Sequence, residues 1–191
     1  MAISILKPFR QYDEHDVVNM FAFDTSVASS ALDSKGKAHV LGGKLVKVKG
    51  DGWKNDADDL WSTEVAGGAS YANTVSQRFN LVAQVVPSDA DDTNILGMLL
   101  HDVREEDENG EKLKYNPRKA DEMQCVIKGQ AVPLVSRGIF LVNNALSAQA
   151  GVPLYSDANG DLTTSSGGGS VVAHTLGDTD ANNNTLIRLA L

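Results

Sequence analysis

Four histidines (His15, His39, His101, His174) and one cysteine (Cys125) are the side chains best able to hold a metal or drive nucleophilic chemistry. No two histidines stand in HxH or HExxH spacing, and none has a cysteine at ligand spacing along the chain. A GxSxG elbow, a GxGxxG turn and a glycine loop leading into Lys-Ser or Lys-Thr are all absent. The glycine run at 165–170, SSGGGS, has no lysine and follows no convincing buried strand. The acidic pairs Asp58/Asp59 and Asp91/Asp92 could serve as an acid–base dyad, but among small polar residues such carboxylates are simply solvated. Asp157, Asn159 and Asp161 stand where the first, third and fifth ligands of a calcium loop would. That loop's glycine would fall on Leu162 and its closing glutamate on Gly168, so the pattern fails. Asn159-Gly160 suits the positive φ of a hairpin turn instead, with weak calcium binding as the alternative. The expectation is no enzyme, no catalytic residue, no metal and no cofactor.

The elements that would carry these residues read as β-structure. In GKLVKVKG, from Gly43 to Gly50, Val46 and Val48 face one way and Lys47 and Lys49 the other. Further strands are expected over Val75–Val86, Asn94–Val103, Met123–Gly129, Ala131–Val142, Val152–Tyr155, Leu162–Thr164, Ser170–His174 and Thr185–Leu191. Gly97 marks a bulge or a close backbone approach, and Pro133 and Gly138 mark local disruptions. Turn-rich pieces such as EEDENGEK, SDANGD and GDTDANNN separate them. Short helices are expected near Asp13–Phe23, with Asp13 as cap, and near Asp56–Val65 and Ala145–Ala150. The fold class is therefore mainly β: a small antiparallel barrel or sandwich, residues 35–191, preceded by an extended N-terminal arm and joint, residues 1–34. The alternating Thr185–Leu191 segment reads as a strand pinned into a sheet.

Composition narrows the function classes. The 191 residues carry 17 basic and 25 acidic side chains, a net charge of −8, with 42% hydrophobic residues and one cysteine. A packed core without disulfides follows, and the acidic balance argues against gripping nucleic acid across a broad face. No run approaches the 18 or more apolar residues of a membrane span, and the first residues lack a secretory apolar region. Charge and aromatics are uneven. Residues 1–50 hold seven basic and five acidic side chains, and Phe9, Tyr12, Phe21 and Phe23 are four of the eleven aromatics. Either this segment packs on its own body, or it keeps apolar anchors for a neighbouring protein, since exposed rings on a frayed terminus invite aggregation. The second reading nominates Phe9, Arg10, Tyr12, Phe21 and Phe23, with Lys35, Lys37 and Lys44 beside them, as contacts.

From about Ile95 to Leu191 the pieces ILGMLL, IKGQAVPLVSRG, AGVPLYSDANGDLTT and LGDTDANNNTLIRLAL follow in order. This succession resembles the head decoration (cement) proteins of tailed bacteriophages, small β-barrel proteins of the virion. The resemblance implies a structural role: binding neighbouring major capsid subunits on the capsid surface, with assembly in the host cytoplasm and a homotrimer or homodimer on the shell. It implies neither a nucleic-acid nor a membrane partner. Rival readings are a carbohydrate- or receptor-binding module using Trp53, Trp61, Tyr71 or Tyr155, a metal-dependent hydrolase built from scattered His and Asp, and a tail-tube or connector component.

Overall fold

The computed structural model describes residues 6–24, 40–50, 83–144 and 146–191. Two six-stranded sheets, as described, stack on one another, and neither closes into a barrel. The first runs β1 (Leu6–Gln11), β10 (Arg137–Asn143), β14 (Asn184–Ala190), β13 (Ala173–Thr175), β11 (Pro153–Ser156) and β12 (Leu162–Thr163), all antiparallel. The second runs β2 (Val17–Val18), β9 (Leu134–Val135), β6 (Gly97–Leu99), β4 (Leu45–Val48), β5 (Gln84–Pro87) and β3 (Ala22–Phe23), with β3 parallel to β5.

Alternation along the strands builds the cores. Phe140, Val142, Ile187 and Leu189 of the first sheet meet Leu45, Met98 and Val135 of the second. The intervening residues Val46, Leu99 and Leu134 point to the opposite side of the second sheet, where they join Phe21, Phe23, Val40, Val85 and Val103. Both faces of the second sheet are thus buried, while the first sheet buries one face only.

A small excursion completes the structure. Strand β7 (Asp102–Arg104) pairs in parallel with β8 (Cys125–Ile127), and helix α1 (Pro117–Glu122) lies against them over Leu113, Ala120, Cys125 and Ile127. The helix opens on Asn116-Pro117, a start in which proline's missing N–H costs nothing. No helix among the described residues is long and apolar enough to cross a membrane.

Several expectations are corrected. The described part of the arm, residues 6–24, is woven into both sheets, because its apolar residues fill the cores and its backbone pairs with β10, β9 and β5. Asp13 does cap a helical turn, accepting from His15 N at 2.9 Å. The turn is one 3-10 turn, Glu14–Asp16, and the chain then becomes strand. Ala131–Val142 is two strands in different sheets, broken at Ser136, whose N–H and hydroxyl both donate to Asp16 O. Asn94–Val103 breaks likewise at Leu100–His101. Residues 146–150 form no helix; Ala148 N and Ala150 N instead donate to Thr179 Oγ1 and Asp178 Oδ1 at 3.0 Å. The helix proposed at Asp56–Val65, and most of Val75–Val86, lie outside the described residues.

One turn is used three times. Asp107, Asp157 and Asp180 each accept, through Oδ1, the amides two and four residues on, all at 2.8 Å. The fourth position takes positive φ in each: Gly110 at 88°, Gly160 at 74° and Asn183 at 62°. The sequences DENGE, DANGD and DANNN share the aspartate, the central asparagine and a residue tolerant of that conformation. The 157–161 segment is therefore the hairpin tip joining β11 to β12.

Candidate docking surface

The exposed side of the first sheet is assembled from the outward-facing residues of β1, β10, β14 and β13. Leu141 stands opposite Leu186, and Leu176 N donates to Leu186 O at 2.7 Å. This places Leu141, Leu186 and Leu176, the residue just past β13, in one row, the last two 38% and 43% exposed. In the next row Gln11 faces Ile139, Ile139 faces Arg188, and Arg188 faces His174.

Phe9 is added to this face by an irregularity in β1. Leu6 pairs with Val142 and Arg10 with Phe140, so Lys7, Pro8 and Phe9 together oppose Leu141 alone. The surplus residues bulge outward and leave Phe9 75% exposed, beside Leu141 in a shallow cleft of about 500 Å³ that Asn143, Asn182 and Asn184 complete. A bulge re-aims a side chain without ending the strand. Pro8, which lacks an N–H, and Lys7 also blunt β1, which ends its sheet among the described strands, against pairing with a foreign strand. What remains available is the face.

Arg10 holds the bulge in shape. Its Nε donates to Lys7 O at 3.2 Å and its Nη1 to Leu100 O at 2.9 Å. Burial lowers the Arg10 pKa, opposed by the nearby Tyr12 and Asp102. Burial also lowers the pKa of His101, and the Arg10 charge adds to that effect. Tyr12 stacks on Phe140 with centroids 5.9 Å apart, and its remaining exposed edge borders a cleft of about 380 Å³ with Arg137 and Arg188. Gly138 makes that stacking possible: a Cβ there would lie 2.8 Å from both Gln11 O and the Phe140 ring.

The residues nominated from the sequence divide into groups. Phe9 lies on the exposed face, whereas Tyr12, 39% exposed, stacks on the buried Phe140 at the sheet's edge and shows only its outer side to solvent. Arg10 is beside that face, but its guanidinium is turned inward onto backbone carbonyls. Phe21 and Phe23 are buried at 9% and 2% exposure, so their rings serve this chain's own core, not a neighbour's surface. Lys44 is also corrected. Its ammonium lies within the molecule, 2.8 Å from Asp161 Oδ2 and 3.1 Å from Asn159 O, joining the β11–β12 hairpin to the start of β4. The ammonium thus holds the Asp161 carboxylate that a calcium reading would assign to a metal, while Asp157 Oδ1 accepts the loop's own amides. Lys35 and Lys37 lie outside the described residues.

Sequence reading missed Arg137, Ile139, Leu141, Leu186, Arg188 and Leu176, although the alternation of β14 was visible. Which strands neighbour it was not. Among the described residues no group of three or more His, Cys, Asp or Glu converges as a metal site. Burial raises the Cys125 pKa, which disfavours the thiolate. Tyr155 is half-buried within β11, while Trp53, Trp61 and Tyr71 lie outside the described residues. Compared with protein-family models, with curated proteins and with solved structures, the chain has no match in any of the three.

Proposed function

We propose that this chain is a structural virion protein that decorates a phage head, docking on neighbouring major capsid subunits through the exposed face of its first sheet. The observation that carries the reading is Phe9, lifted into solvent by a fixed bulge beside the Leu141–Leu186–Leu176 row. Burying such a ring stabilises a contact by about 1.5–3 kcal/mol, and aromatic and arginine anchors dominate interface energies. The wide, shallow clefts of this face suit a protein surface better than a small substrate. The order of strands and turns in the C-terminal half, which resembles decoration proteins, supports the same role. So does an acidic net charge, which keeps free copies apart until they dock. By the same resemblance, copies associate as a trimer or dimer on the shell, and the partner is the major capsid protein.

Co-sedimentation with purified shells lacking this protein tests the reading. The wild type pellets saturably with shells, whereas Phe9→Ala remains in the supernatant with its melting temperature unchanged. Wild-type protein that stays in the supernatant at every shell concentration overturns the proposal.

A further inference from the structure

The exposed sheet face also carries a charge pattern opposite to that of the whole molecule. Arg137 and Arg188 are both exposed, and among the described residues neither guanidinium has a hydrogen-bond or ion-pair partner. Arg137 pairs with Ala190 and Ile139 pairs with Arg188, so the two arginines are diagonal neighbours on β10 and β14. Such neighbours are separated by roughly 7–8 Å. They border the same cleft, next to the Tyr12 ring and Ile139. In a chain of net charge −8, two adjacent free guanidiniums on a partly apolar sheet face call for a negatively charged partner.

We propose that Arg137 and Arg188 are a carboxylate-binding pair that takes an extended acidic segment of a partner protein, with Asp or Glu at alternate positions. Residues two apart on a strand lie about 6.6–6.8 Å from one another on the same face, close to the spacing of the two arginines. Each guanidinium presents a planar fork that matches one carboxylate. The intervening partner side chain points away, and its neighbours meet Ile139, Leu141 and Phe9. Asp13 and Asp16 line the same cleft, and their charges oppose a continuous polyanion laid across it. Asp13 is already engaged by the His15 amide. Two carboxylates placed only at the arginines meet less of that repulsion than a nucleic-acid backbone with a charge at every phosphate. The proposal rests on the docking reading for its partner, though the binding chemistry is testable without a shell.

The test is an NMR titration of the full chain with the blocked pentapeptide Thr-Glu-Val-Glu-Thr, its Gln-for-Glu counterpart and a short oligothymidylate. The Glu peptide is expected to shift the Arg137 and Arg188 Nε–H signals saturably, with affinity about fivefold weaker in R137Q or R188Q. Both side chains are exposed, so these variants keep the wild-type melting temperature. Equal binding of the Gln peptide, no shift at either arginine, or stronger binding of the oligothymidylate overturns the proposal. Shell co-sedimentation separates its failure from that of the docking reading. A double variant R137Q/R188Q that pellets like wild type, while Phe9→Ala does not, removes the carboxylate pair and leaves the docking face standing. A wild type that binds the Glu peptide but no shell does the reverse.

Discussion

Arg10 and Leu100, ninety residues apart, are joined by a 2.9 Å hydrogen bond from guanidinium Nη1 to a backbone carbonyl. The same guanidinium closes the bulge through Lys7 O. The inward-turned charge thus governs how an outward-turned ring is displayed. Arg10→Met keeps the bulk of the stem but removes both bonds, each partly buried. Losing charged hydrogen bonds of this kind costs about 1–3 kcal/mol. The expected result is a melting temperature lower by several degrees, together with weaker shell binding than the loss of stability explains. Unchanged melting would show that water replaces both bonds without penalty.

The repeated aspartate turn makes opposite predictions at two equivalent positions. At Gly160, φ is 74° and an added Cβ would sit 2.5 Å from Leu45 O. Gly160→Ala is therefore expected to destabilise by well over about 1 kcal/mol, as the hairpin tip must leave β4. Asn183 occupies the matching place at φ 62°. Asn183→Gly relieves the left-handed strain and stabilises by up to about 1 kcal/mol. Denaturant melts of both variants check the pair, and similar midpoints would contradict it.

Acid sensitivity should concentrate in the small excursion around α1. The hydrogen bond from Lys119 lowers the Asp107 carboxyl from 3.8 to about 2, helped by the amides of Glu111 and Asn109. Between these two values the unfolded chain binds a proton that the folded chain refuses. Stability from this group is therefore complete above about pH 4 and is lost as pH falls through about 2. Wild-type melting temperature should fall across that window, and more steeply than that of Asp107→Asn. Parallel profiles would show that Asp107 contributes nothing to acid unfolding.

The two faces of β14 should respond differently. Ile187 and Leu189 are fully buried, whereas Leu186 is on the exposed face. Leu189→Ala is expected to cost about 2–5 kcal/mol, and Leu186→Ala within about 0.5 kcal/mol. Removing Thr185–Leu191 takes away a strand paired on both sides, by β10 and β13, and should leave insoluble protein. A soluble truncate that melts cooperatively would contradict this.

Local periodicity made most strands legible. The alternation of Val46 and Val48, the close approach at Gly97 and the Asn159-Gly160 hairpin all depend on neighbours in sequence or on residue type, and all three are present. What could not be read were non-local choices. Ser136 divides an apolar run between two sheets, and nothing short of the Asp16 contact signals that break. Phe21 and Phe23 looked like anchors for a partner because a second core, on the far side of the second sheet, was not foreseen. Lys44 looked like surface charge until Asp161, 117 residues on, closed over it. The proposed docking face is a property of strand order, which joins Phe9 to Leu141 and Arg137 to Arg188 only once β1, β10 and β14 lie side by side.

Electron cryomicroscopy of shells reconstituted with this protein tests the docking surface most directly. Density with the β1–β10–β14 face against the capsid subunit and the Phe9 ring enclosed between them is the predicted result. Density in which that face looks into solvent while another side of the molecule touches the shell would contradict it.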